Sequence, residues 1–187
     1  MKRLITLIFM LATVQLFAQI SPNYISPVKV GNMNLQAGKV FYQNAISSSV
    51  NLQRLAEKIK SKEQVYSVFN LNSVSPTEIK GTITNFQLNI DQYGVKRKKM
   101  ASFLTRPLNA IFNIESVEGK NRVTVESIWF KSMPGDKSMA NKGIETLVAS
   151  PNGTVFLKDK KNLISITVIE KNLDVLFKAA TGAGIGF

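Results

Sequence analysis

The residue types that carry most hydrolytic, redox and metal chemistry are missing: the chain of 187 residues has no histidine and no cysteine. Without histidine the commonest general base and metal ligand is absent, and without cysteine so are thiol nucleophiles and thiolate zinc sites. A Ser-His-Asp arrangement is therefore closed. "SPVK", Ser26 to Lys29, has the Ser-x-x-Lys spacing by which a helical turn sets lysine against a nucleophilic serine. Pro27 interrupts that turn, and the companion motifs are missing. "GAGIG", Gly182 to Gly186, has the glycines of a phosphate loop. Such loops work by feeding the N-terminus of a following helix, and only Phe187 follows here. "NGT", Asn152 to Thr154, fits a glycosylation sequon but reads more simply as a turn. The 12 acidic residues are scattered singly, as solvated charges are. We therefore expect no catalytic residue, no metal ligand and no cofactor.

Positive charge is the one concentrated feature. Lys and Arg number 24 against those 12 acids, a formal net charge of +12. Five basic residues, Lys96, Arg97, Lys98, Lys99 and Arg106, fall in "YGVKRKKMASFLTRPLNAIF", residues 93–112, whose nearest acids are Asp91 and Glu115. In a cytoplasmic chain with interleaved aromatics this run would read as a nucleic-acid patch. The first residues decide otherwise. "MKRLITLIFMLATVQLFAQI" has a basic start, an apolar stretch too short to span a bilayer, and small Ala18 before Gln19, the pattern of a secretory signal peptide. Residues 1–19 are expected to be removed on export, leaving the protein in the periplasm or at the cell exterior. Nucleic acid is then not expected as a partner. The anions on offer there are an envelope protein or an anionic surface, with peripheral membrane contact through the 96–106 cluster. The simplest reading of that cluster is an exposed, solvated strand connection.

Zero cysteines in an exported chain mean that a packed core, not disulfides, must hold the fold. Residues 20–37 carry Pro22, Pro27 and Gly31 among scattered polar residues and read as an extended N-terminal arm. "KVFYQNAI" alternates as a strand, and "SSSVNLQRLAEKIK" follows as an amphipathic helix with Leu52, Leu55, Ala56 and Ile59 on one face behind a serine cap. "QVYSVFNL" and "TEIKGTITNFQLNI" read as strands divided by a turn at Pro76, with a bulge expected between Gly81 and Asn85, where apolar parity switches. "LNAIFNIESV" and "RVTVESIWFK" flank the loop "EGKN" as a hairpin. Residues 132–153, rich in breakers, are expected to be a mobile surface segment with a short helix, and "TVFLK" a last short strand or a lead-in. From Lys161 onward, Leu163, Ile166, Ile169, Leu173, Leu176 and Phe177 recur at helical spacing, against the β-branched run "ISITVI", which favours strand. Length decides for helix.

The order gives an α+β domain over residues 38–180. It has an antiparallel sheet of about five strands, one helix after the first strand, a long C-terminal helix packed on one face, and a flexible glycine-rich tail at 181–187. In the "GKVFYQNAI" strand, the "SSSVNLQRLAEKI" helix, the "IKGTITNFQLNI" strand, the "FNIESVEGKNRVTVESIWF" hairpin and the closing helix, the chain resembles a family of exported bacterial domains of unknown function. The resemblance implies a fold like that of the TATA-binding protein, and a fold does not by itself imply DNA binding. The expected function is a non-catalytic binding or interaction module. The alternative is a carrier of an apolar or anionic ligand in a pocket between sheet and C-terminal helix. Oligomeric state has no signature in the sequence.

Overall fold

The structure is a computed structural model that describes residues 25–46, 51–61, 67–132 and 142–181. The expected signal peptide, the serines at 47–49 and the glycine-rich stretch 182–187 lie outside those residues. Eight strands form one sheet: β1 (Ile25–Ser26), β2 (Lys29–Val30), β3 (Met33–Gln36), β4 (Lys39–Ile46), β5 (Phe69–Val74), β6 (Glu78–Phe86), β7 (Leu108–Val117) and β8 (Lys120–Phe130). Their spatial order is β1-β2-β3-β4-β8-β7-β6-β5, with every neighbouring pair antiparallel. The expectation of about five strands is thus corrected to eight. The three additional strands fall inside the stretch read as an extended arm. Each is two to four residues long and closed by a tight turn, too short for alternation to show in sequence.

Among the described residues three helices accompany the sheet: α1 (Leu52–Ser61), the four-residue α2 (Glu145–Val148) and α3 (Lys160–Thr181). Helix α1 follows the first long strand, β4, and carries the chain from mid-sheet to the far edge at β5. It buries the face expected of it, Leu52, Leu55, Ala56 and Ile59. Its cap is Asn51, whose Oδ1 accepts the backbone N–H groups of Gln53 at 2.8 Å and Arg54 at 3.2 Å, satisfying two of the free donors at a helix start.

Strand alternation decides which face the helices cover. Val40 and Tyr42 of β4, Ile79 and Ile83 of β6, Phe112 and Ile114 of β7, and Val123 and Val125 of β8 are fully buried. Phe69, Phe112 and Phe177 meet with ring centroids 5.2–5.8 Å apart, locking α3 onto the sheet. Gly81 stands opposite Phe112, and a Cβ there would lie 2.6 Å from the ring. The missing side chain is what lets the aromatic lie across β6. The expected bulge is present, between Ile83 and Phe86, with Asn85 at φ 54°. The β7–β8 loop is tighter than "EGKN". Only Glu118 and Gly119 turn, both at positive φ, the two-residue geometry that suits the twist of paired strands.

Helix α3 resolves the competition over "ISITVI". All six residues from Ser165 to Glu170 are buried, because the helix is covered on more than its sheet side. A helix enclosed in this way can be apolar all round, and packing outranks the weak strand preference of its β-branched residues. Buried hydroxyls and amides on it bond back along the helix: Ser165 to the Lys161 carbonyl at 2.7 Å, Thr167 to that of Leu163 at 2.8 Å, and Asn172 to that of Val168 at 2.8 Å. Of the segment expected at the surface between 132 and 153, residues 133–141 lie outside the described residues, and the remainder differs. Ile144, Val148 and Ala149 are buried, and "TVFLK" contributes only a single bridge, Phe156 to Ala149.

Candidate functional site

Residues 87–107 join β6 to β7 through three short 3-10 turns, Asp91–Tyr93, Arg97–Lys99 and Ser102–Thr105. An exposed loop was expected. The structure instead buries Leu88, Ile90, Met100, Phe103 and Leu104 of this connection, with the Phe103 ring 4.9 Å from that of Phe130. The connection is a strap across α3. Asn89 N–H donates to Asn172 Oδ1 at 2.8 Å, and Ala101 N–H to Ser165 Oγ at 2.9 Å. Apolar residues spaced among the lysines supply the anchors, which forces the charged side chains outward.

The five basic residues are divided by this arrangement. Lys96, Arg97, Lys98 and Lys99 are exposed, whereas Arg106 is half-buried where its N–H closes the last turn on the Phe103 carbonyl. Arg97 grips Asp91 with two hydrogen bonds, Nη2 to Oδ2 at 2.9 Å and Nε to Oδ1 at 3.3 Å. The bond from Arg97 holds the Asp91 carboxyl below the usual carboxylate range. Three lysines therefore face solvent from a fixed turn.

A second basic arm was missed. The Ser165 hydroxyl that receives Ala101 N–H also donates to the Lys161 carbonyl, so the strap and the head of α3 meet at one oxygen. The head of α3 and its approach, with exposed Lys158, Lys160 and Lys161, are thereby held against the strap. The signal was present as "KDKK" at 158–161, a run too short and too near a helix start to stand out by spacing. Only the tertiary contact joins two runs some sixty residues apart.

The buried polar cluster lies further along α3. Glu170 and Asp174, one turn apart, face the sheet: Asp174 Oδ1 accepts from Tyr42 Oη at 2.5 Å and from Asn44 Nδ2 at 2.9 Å. Asn32 Nδ2 reaches the same oxygen at 3.3 Å, and Asn32 N–H points to Glu170 Oε1 at 3.4 Å. Burial, reinforced by the Asp174 charge, pushes the Glu170 carboxyl up. Burial likewise pushes the Tyr93 phenol up to about 12. A carboxylate already saturated by donors is a structural clasp. Among the described residues no three acidic side chains gather as metal ligands would.

The pocket that a ligand carrier would need between sheet and α3 is filled by Tyr42, Phe69, Phe112 and Phe177. A cleft of about 690 Å³ lies instead between β4 and β8, lined by Phe41, Trp129, Lys39, Glu126 and Glu145 among others. There Glu145 Oε1 accepts the Val40 N–H at 3.2 Å. Trp129 is half-buried at this cleft, while its neighbour Phe130 is the one in the core. The open face of the sheet carries mixed charge. Glu78, Lys80, Glu115 and Arg122 interlock across three strands, with Lys80 2.9 Å from Glu78 and Arg122 2.5 Å from Glu115. Ser26 and Lys29 of "SPVK" form a cross-strand pair between β1 and β2, not a helical turn.

This sheet and its helices are similar to a crystal structure of a DUF4468 family protein from Bacteroides ovatus. The TM-score is 0.52 at 12% identity, covering 84% of this chain and 95% of that one. The two share a fold. A TBP-like protein from Parabacteroides distasonis gives a TM-score of 0.48 at 16% identity, covering 78% of this chain and 95% of that one. The resemblance read from the sequence, to bacterial domains of unknown function, holds at the level of the fold. No family model matches the chain, and no curated protein matches it.

Proposed function

We propose that this protein is an exported, non-catalytic interaction module that engages an anionic envelope component through the strap and the head of α3. The observation that carries the reading is the buttressing of the lysines. Lys96, Lys98 and Lys99 ride on a turn fixed by buried Met100, Phe103 and Leu104 and by the Ala101–Ser165 hydrogen bond, so their charge is presented on a rigid support. A merely solvated loop needs no such anchoring. The leader, the basic balance and the absence of histidine and cysteine support the same reading. Nucleic acid is disfavoured because the open sheet face mixes Glu78, Glu115 and Glu126 with its bases and offers no basic stripe.

The test is co-sedimentation of the purified protein with isolated cell envelopes. Wild type is expected to sediment and to be released by salt, and the Lys96→Gln/Lys98→Gln/Lys99→Gln variant to remain in solution. Equal sedimentation of the two would overturn the assignment of this surface.

A further inference from the structure

We infer that the partner of this surface is an anionic phospholipid bilayer, met by the lysines of both arms together with an apolar notch beside Lys158. This rests on the binding-module reading above and names its partner.

The charge is available. Lys96, Lys98, Lys99, Lys158, Lys160 and Lys161 are all exposed, and among the described residues none of the six takes part in an ion pair. The two adjacent acids are engaged elsewhere: Asp91 by Arg97, and Asp159 by the backbone and side chain of Asn162 at the start of α3. What remains is a patch of six lysines against the single carboxylate of Asp159, built from two separate stretches of chain.

The apolar element lies against the second arm. Phe156 N–H donates to the Pro27 carbonyl at 2.6 Å, pinning the β1–β2 turn to the approach to α3. Ser26, Pro27, Phe156, Lys158 and Leu163 line a notch of about 280 Å³. At the same turn Val28 is 45% exposed, the most exposed large hydrophobic among the described residues. A polyanion such as nucleic acid matches the lysines and leaves the notch and Val28 unused. A bilayer offers phosphate to the ammonium groups and interfacial acyl carbon to the valine, the notch and the lysine stems, and anionic charge plus buried apolar area sets the strength of such contacts. Contact is peripheral, since no described helix is long and apolar enough to cross a membrane.

Flotation with vesicles of phosphatidylglycerol and phosphatidylcholine, against vesicles of phosphatidylcholine alone, tests the inference. Wild type is expected to float with the anionic vesicles at low salt and not with the neutral ones. The variants Lys96→Gln/Lys98→Gln/Lys99→Gln and Lys158→Gln/Lys160→Gln/Lys161→Gln should each bind about tenfold more weakly or worse. Val28→Ser should weaken binding about threefold at low and high salt alike, because it removes apolar area and no charge. Thermal unfolding matched to wild type verifies the folds, and the single changes Lys98→Gln and Lys160→Gln, scored the same way, replace any triple variant that melts early. Equal flotation with neutral and anionic vesicles overturns the inference, as does wild-type binding by the 158/160/161 variant. Salt-sensitive sedimentation with envelopes but no flotation with anionic vesicles overturns the lipid partner and leaves the binding-module reading standing. Failure of both assays overturns both.

Discussion

The hydroxyl of Tyr42, on β4 in the middle of the sheet, donates to Asp174 Oδ1 on α3 at 2.5 Å, a contact between residues 132 apart in sequence. It ties the C-terminal helix to the sheet where the ring of Tyr42 also faces Phe177, with centroids 6.3 Å apart. Removing the hydroxyl in Tyr42→Phe leaves the ring packing and deletes a charge-assisted bond. The expected loss is about 1–3 kcal/mol, read as a lower urea midpoint with unchanged slope. No shift in midpoint would show that Asn44 and Asn32 hold the carboxylate without help.

Glu170 carries the pH dependence. Its folded-state carboxyl is raised above the ordinary value of about 4.5 by burial and by Asp174, with Lys171 and Lys178 opposing. Between the ordinary and the raised value the folded state therefore keeps a proton that the unfolded state releases. This contribution to stability is complete below the ordinary value and is lost as pH rises through the folded one. Glu170→Gln, which keeps an acceptor for Asn32 N–H and no charge, should melt higher than wild type at neutral pH. The gap should close as pH falls below about 4.5. A gap that is constant with pH would rule out titration of Glu170 as its source.

Gly81→Ala tests the close passage of Phe112 over β6. With the new Cβ meeting the Asn70 carbonyl of β5 and lying 2.6 Å from the ring, ring and strand must both yield, at a cost of about 1–3 kcal/mol, of which the ring's share is what the second change relieves. Combining it with Phe112→Leu should recover part of that cost relative to the sum of the single changes. Strict additivity in the cycle would place the strain elsewhere.

The junction of strap and helix is open to test by Ser165→Ala. It deprives Ala101 N–H of its acceptor and should cost about 1 kcal/mol. Amide exchange in the 96–101 turn should accelerate while that of β7 and β8 stays unchanged, because the sheet does not depend on this bond. Uniform acceleration throughout would show that the strap is not a separate unit.

Much of the fold could be read from residue pattern. The buried face of α1, the bulge before Phe86, the β7–β8 hairpin and the length of α3 follow from periodicity and turn chemistry, which are local. The missed features each needed a distant partner. Strands β1–β3 are too short to announce themselves and form because β4 offers them an edge. The segment after Lys142 is polar and broken, yet Ile144 and Val148 enter the core where β4 and β8 part.

The candidate surface divides in the same way. Sequence by itself determined the excess of lysine, the absence of histidine and cysteine, and the basic run at 96–99, because composition and spacing are properties of the chain alone. Only tertiary structure decided that Arg106 is half-buried, that the head of α3 packs against the strap, and that Asp174 closes a clasp on Tyr42. The physical reason is that burial and charge proximity depend on which surfaces meet. α3, enclosed between sheet and strap, makes neighbours of residues that the sequence keeps far apart.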